Sequence, residues 1–348
     1  MTEARTFAGQ GVRDVTSEPT VVTWRAMASP IRLELVGVDG AAAERTGKAV
    51  MADLEATEQA LSRFRPTADL VRLNARVGVW QDVSPRLYRA LVAAARAHRR
   101  TGGRFDPRVL VSLEALGYVG APRPPLASEE PRREAWVEFS TPRRSSVRIW
   151  APLDLGGIGK GLGVRWAARV ARRQTPTFLL DAGGDLLAAG TGPDGTGWKI
   201  GVEDPHQPDR LAAALLLPTG GAVCTSSIAR RRWQHEGRMV HHLLDPRTGQ
   251  PGGAGLWSVT VVGPDAAWAE VWSKTLFLTG VDAIARAAVG RPVVWVRDDG
   301  RLGLTPEAER LVFWRHGSRE GRPMPAPGLP SPLLTPPPAV LPPAWRLG

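Results

Sequence analysis

The chain has 348 residues, 43% hydrophobic and 23% charged, with 45 basic against 34 acidic side chains and a formal net charge of +11. That is the make-up of a globular chain of one large or two small domains. A single cysteine, Cys224, excludes an intrachain disulfide and a multi-cysteine metal site, no apolar run is long enough for stable membrane insertion, and scattered arginines without interleaved aromatics argue against nucleic acid.

Residues 1–20 are polar and without period, which predicts disorder. Residues 21–39 read as a pair of strands joined near Met27. Helical spacing of apolar residues runs from Ala43 to Phe64 and ends before Pro66. Ser84-Pro85 reads as a capped helix start and Gly102-Gly103 as its end. Residues 121–146, rich in Pro and Arg, are expected to form a surface loop or a poor hairpin. A helix follows over Gly161–Arg173, then strands over Thr177–Leu180, Trp198–Val202, Leu211–Leu217 and Trp257–Val262, with helices over Ala266–Leu278 and Val281–Val289 and a short strand over Pro292–Val296. The alternation predicts an α+β fold on a largely antiparallel sheet with packed helices. From about Gly317 proline is too dense for hydrogen-bonded structure, so residues 317–348 are expected to be a disordered or polyproline II tail.

Three Gly-rich runs, each tied to charged residues, stand in one order: DLGGIGKG from Asp154, DAGGD from Asp181 and HHLLDPRTG from His241. Glycine lets backbone approach a ligand closely or take a positive φ. Cations beside such backbone suit a phosphate-bearing ligand. The first run sits between a strand-like segment and a helix, so the amides of that helix N-terminus and Lys160 are placed to meet a diphosphate; taken alone, it reads better as a plain strand–helix turn with an exposed lysine. The second run reads equally as a tight turn between strands. In the third, Asp245-Pro246-Arg247-Thr248-Gly249 is a turn, His242 lies on the strand before it with His241 on the opposite face, and Arg247 either fixes the loop through Asp245 or faces phosphate. Only Lys48, Lys160, Lys199 and Lys274 are lysines among the 45 basic residues. In so arginine-biased a chain, the compact ammonium of Lys160 and of Lys274 inside motifs is informative.

The three runs resemble those of the ApbE family, the FAD:protein FMN transferases. SRFRPTADLVRLN from Ser62, GGRFDPRV from Gly102, TSS from Thr225 and AEVWSKTLFLTG from Ala269 extend the resemblance over about residues 20–315, in the family's order. It implies an ApbE-like domain over residues 21–316. It also implies FAD as substrate, an acceptor flavoprotein with a Thr or Ser flavinylation site as partner, and AMP as leaving product. The FAD contacts it implies are Met27, Phe64, Arg104, Phe105, Asp106, Asp154, Lys160, Thr225, Ser226 and His242, with His242 assisting the attacking hydroxyl as a base tuned near neutral pH and Lys160 supplying charge. Asp181 stands where the family usually has asparagine and is given no role; Ser227 replaces the family's glycine. Many ApbE proteins are exported lipoproteins, but the polar N-terminus shows no signal peptide or lipobox, so a cytoplasmic location is expected.

The resemblance also implies Mg²⁺ at Gly157, Glu270 and Lys274, and here this chain departs from the family. An Asp and a Thr four apart on a helix hold the metal there; Glu270 and Lys274 stand in their places on one helix face. An ammonium has no acceptor lone pair. Three readings stay open: a surface Glu–Lys pair, Lys274 occupying the metal position with Glu270 as counter-ion, or Mg²⁺ held by Glu270 and the Gly157 carbonyl with waters. Two further functions compete with transfer: hydrolysis of FAD to FMN and AMP, and FAD binding without catalysis.

Overall fold

The computed structural model describes residues 18–122, 135–140 and 145–316. Of the expected disorder of residues 1–20, residues 1–17 lie outside the described residues, as do the Pro-rich tail and most of the Pro- and Arg-rich segment; Thr20 already opens the first strand.

An eight-stranded sheet organises the chain, in spatial order Thr20–Ala26, Ser29–Leu35, Phe178–Ala182, Asp185–Ala189, Gly220–Ser227, Leu256–Gly263, Val293–Arg297 and Leu302–Leu304. All seven neighbouring pairs are antiparallel. Both faces are covered. Ile31, Leu33, Leu180, Leu187, Cys224, Val259 and Val261 face three helices, Gly40–Leu61, Gly159–Gln174 and Ala266–Phe277. Their strand neighbours Leu179, Leu186, Val223, Val262 and Val294 face a three-stranded sheet that includes Trp198–Asp204 and Gln207–Leu217. This switch at successive residues is the period of two of a strand. A third core joins the Pro85–Arg100 helix to Leu61, Leu70, Leu73 and the small sheet at Val147 and Ile149.

Local chemistry sets the helix starts. Asp39, Ser84 and Asp265 each accept an amide hydrogen bond at the first turn, from Ala42, Leu87 and Trp268. Met27 and Ala28, in the two-residue turn between the first strands, both take positive φ (52° and 56°), a primed hairpin turn built without glycine.

Several strands lie outside the expected set, among them Leu302–Leu304 and two central ones. Asp185–Ala189 and Gly220–Ser227 were not expected, because every residue of the first is buried and the second opens on two glycines. Neither shows the alternation of a half-buried strand. Of the Pro- and Arg-rich segment, Val137–Phe139 does pair with Ser146–Ile149.

The Gly159–Gln174 and Ala266–Phe277 helices meet at Gly161. A Cβ there would lie 2.5 Å from the Ala266 carbonyl oxygen and 2.7 Å from its carbon. Gly161→Ala is therefore expected to lower stability by about 1–3 kcal/mol, because overpacking against backbone outweighs the roughly 1 kcal/mol of helix propensity alanine brings. A urea midpoint at or above that of wild type would show that the helices part at no cost.

Candidate functional site

The site lies where the first turn of the Gly159–Gln174 helix meets the Ala266–Phe277 helix and the Phe178–Ala189 hairpin. The loop before it is held by its own carboxylate. Asp154 Oδ1 accepts from the Gly156 amide at 2.7 Å, and Oδ2 faces Arg63 Nε at 2.6 Å. At the helix start the Gly161 amide donates to Glu270 Oε2 at 2.7 Å. The expected arrangement of open amides is thus altered: this one is already met by a buried carboxylate, which the helix dipole favours.

Lys160, one residue earlier, reaches Asp185 in a direct ion pair. Asp185 is 2% exposed and lies across the sheet from Cys224, whose buried thiol donates to the Ala266 carbonyl. Burial pulls the Lys160 pKa down, but the charges of Asp185 and Glu270 outweigh it and hold the group above its ordinary value, an ammonium. Burial and the Asp185 charge push the Glu270 carboxyl up, against the pull of Lys274 and Lys160.

Asp181, the first carboxylate of the DAGGD run, joins this cluster. Burial pushes its pKa up to about 6; the Gly184 amide, donating to Oδ1 at 2.9 Å, opposes that shift. The folded state therefore holds a proton that the unfolded chain loses near pH 4, and stability falls as pH rises from about 4 to about 6. Asp181→Asn keeps an acceptor for Gly184. It is expected to match wild type near pH 4 and to exceed it by roughly 1–3 kcal/mol above pH 7. Equal urea midpoints at pH 8 would contradict this.

Lys274 extends from the Ala266–Phe277 helix across to the Gly-rich loop. Its Nζ donates to the Gly156 carbonyl oxygen at 3.2 Å. Glu270, one turn earlier, is occupied by Gly161 and acts on the ammonium through space. Burial lowers the Lys274 pKa, and the Glu270 and Asp154 charges oppose it. Phe105 is buried beside this contact: a Cβ at Gly157 would meet Phe105 Cε2 at 3.0 Å and Lys274 Nζ at 2.9 Å.

His242 faces the same cluster. Burial and the positive charges of Arg231 and Lys274 hold it well below the ordinary histidine range, not near neutrality as the sequence suggested. Its Nδ1 lies 3.3 Å from the Arg231 carbonyl. A carbonyl only accepts, so Nδ1 carries the hydrogen and Nε2 keeps its lone pair. His241 turns to the edge of Phe277. Arg247 binds Asp245 through Nε at 3.0 Å and Nη2 at 2.5 Å, so it fixes its own loop.

A family profile, described as the ApbE family, matches residues 13–294. The chain belongs to the ApbE family. An FAD:protein FMN transferase of Klebsiella pneumoniae is 26% identical over 280 residues, covering 76% of this chain and 79% of that protein. One from Escherichia coli K12 is 24% identical over 313 residues, 86% and 87% of the two chains. The crystal structure of the ApbE protein of Thermotoga maritima superposes with a TM-score of 0.74 at 25% identity, covering 84% of this chain and 99% of that one. The flavin transferase ApbE of Vibrio cholerae shares the fold, with a TM-score of 0.70 at 22% identity and coverage of 84% and 99%.

Within this ApbE chain, Asp154, Gly157, Lys160, His242, Glu270, Lys274 and Phe105 converge. Other expected residues are engaged elsewhere. Burial would raise the Asp106 carboxyl, but hydrogen bonds from His98 and Arg108 hold it well below the carboxylate range. Phe64 is 52% exposed against Tyr118. Arg104 lines a separate open cavity of about 380 Å³ with Arg100, Trp272 and Thr279, on the far side of the Ala266–Phe277 helix. Ser226 and Thr225 point to opposite faces of one strand, Ser226 to Ser273 at 2.8 Å and Thr225 to Thr260 at 2.9 Å. Met27 is near rather than within the cluster: its amide donates to Glu58, and its sulfur packs by Gly163.

The donor set does not fit the Mg²⁺ that the resemblance implies. Mg²⁺ demands near-octahedral oxygen ligands. Here Glu270 Oε2 holds the Gly161 amide, Lys274 donates to the carbonyl of Gly156 rather than that of the expected Gly157, and its ammonium has no lone pair to give. Among the described residues no group of three or more His, Cys, Asp or Glu is spaced to hold a metal, and no helix is long and apolar enough to cross a membrane. Sequence reasoning missed Asp185, Arg231 and Arg63. Asp185 had a signal, a carboxylate opening an apolar strand in a chain with few lysines to pair with.

Proposed function

We propose that this chain is an FAD:protein FMN transferase, moving FMN from FAD onto a Thr or Ser hydroxyl of an acceptor flavoprotein. The observation that carries the reading is the convergence of Lys160, Lys274 and an uncharged His242 on one Gly-rich loop at a helix N-terminus. Kinship with proteins named for this activity supports it.

The chemistry is a phosphoryl-type displacement. The acceptor hydroxyl oxygen forms a bond to the FMN phosphorus, the bond from that phosphorus to the bridging oxygen breaks, and AMP leaves with that oxygen and its electron pair. The barrier is charge and alignment, since a diphosphate repels an incoming oxygen. In this reading Lys160 and Lys274 offset the diphosphate charge. His242 takes the hydroxyl proton on Nε2 while the Arg231 carbonyl holds the ring through Nδ1. Asp154 and Arg63 fix the loop on which the diphosphate rests.

The test is AMP release from FAD with and without an acceptor flavoprotein. Release that needs the acceptor supports transfer. Release without it identifies an FAD hydrolase, and no release in either case identifies a binder; each of these overturns the proposal.

A further inference from the structure

We infer that Lys274 is a built-in cation for the diphosphate of FAD, standing in the place of a divalent metal, and that Gly157 is the residue that makes room for it. The inference rests on the transferase reading of the site and adds to it the source of the positive charge.

Its helix and two contacts locate the ammonium. It hangs from the Ala266–Phe277 helix, whose Glu270 is itself fixed by the Gly161 amide. It donates to the carbonyl of Gly156. Its stem and tip lie over Gly157, where a Cβ would approach Nζ to 2.9 Å, Cδ to 3.2 Å and the Phe105 ring to 3.0 Å. Real Cβ atoms seldom stand this close to a neighbour, and Phe105 is buried, so an alanine at 157 makes the lysine tip shift from its place over the loop. Gly157 and Lys274 are thus a matched pair, joined by packing across two elements distant in sequence.

The electrostatics agree. Asp181, Asp185 and Glu270 crowd one side of the loop, and Asp185 already offsets part of the charge of Lys160. A diphosphate brought to this loop needs a further cation. The Lys274 ammonium is half-buried, and its bond to one loop carbonyl leaves other N–H groups to donate. A divalent ion entering between Glu270 and the Gly156 carbonyl meets a positive charge already in place, which repels it.

The experiment is a calorimetric FAD titration of the full chain in excess EDTA and again with Mg²⁺. Wild type is expected to bind with the same affinity in both, within about twofold. Lys274→Thr is expected to lose about 10–100-fold in EDTA, the range for one charge-assisted hydrogen bond, and to recover part of it with Mg²⁺ because a hydroxyl ligates where an ammonium cannot. Gly157→Ala, which keeps the lysine but displaces it, is expected to weaken binding in EDTA as well. Gly157→Ala combined with Lys274→Thr is expected to be no weaker than Lys274→Thr alone. Wild-type binding that collapses in EDTA and returns with Mg²⁺ would overturn the inference and leave the transferase reading standing. Absence of FAD binding under both conditions would overturn both. Should Lys274→Thr fail to fold, a direct titration of Mg²⁺ onto the wild-type protein with FAD decides the matter: no heat supports the lysine, saturable binding refutes it.

Discussion

His242→Ala is expected to slow FMN transfer by about two to four orders of magnitude, the range for loss of a general base, while FAD binding changes little. The reason is geometric. Nδ1 is tied to the Arg231 carbonyl, which leaves Nε2 as the atom with a free lone pair. The pH profile carries the sharper prediction. A protonated ring cannot accept the hydroxyl proton, so the rate falls where His242 gains a proton. Burial, Arg231 and Lys274 all hold that pKa well below the ordinary histidine value. The acid limb of the transfer rate is therefore expected below the usual range near pH 6.5, with a flat profile through neutrality. A limb centred near 6.5, or a His242→Ala variant that transfers at the wild-type rate, contradicts the assignment.

Lys160→Met is expected to lower stability by about 3–5 kcal/mol, the consequence of removing one partner of a buried ion pair. Asp185 would be left 2% exposed without its ammonium, beside Glu270 and Asp181. Removing both charges reverses most of the loss, since well-packed apolar residues often replace a buried pair without penalty. The measurement is a double-mutant cycle of Lys160→Met and Asp185→Leu followed by urea unfolding. Additive losses, with no recovery in the double variant, would show that the pair is not coupled. The cycle also separates the fold role of Lys160 from its proposed role at the diphosphate: on that proposal the double variant is expected to regain stability but not FAD affinity.

Legibility in the sequence followed the range of the forces involved. Helix starts at Ser84 and near Ala266 could be read because capping is local, acting within one turn. The Asp185–Ala189 strand could not, because burial on both faces erases alternation. The same division runs through the site. The Gly-rich loop, Lys160 and His242 stood out as motifs with ordered spacing. Their partners did not: Asp185 is only the last residue of the DAGGD run, where it opens a central strand, and Arg231 works through its backbone carbonyl. The sequence suggests a histidine tuned near neutrality because no feature in it announces the desolvation of a half-buried ring or the two cations that face it. Lys274 was visible as an anomaly, but its meaning depended on a loop carbonyl 118 positions away.

Transfer of FMN to a protein hydroxyl by the cluster at the Gly-rich loop is tested most directly by the intact mass of an acceptor flavoprotein incubated with this chain and FAD. The predicted result is a mass gain of one FMN less water, matched by one AMP released per acceptor and absent when the acceptor Thr or Ser is replaced by Ala or Val. An acceptor of unchanged mass, with FAD either intact or split into free FMN and AMP, would contradict it.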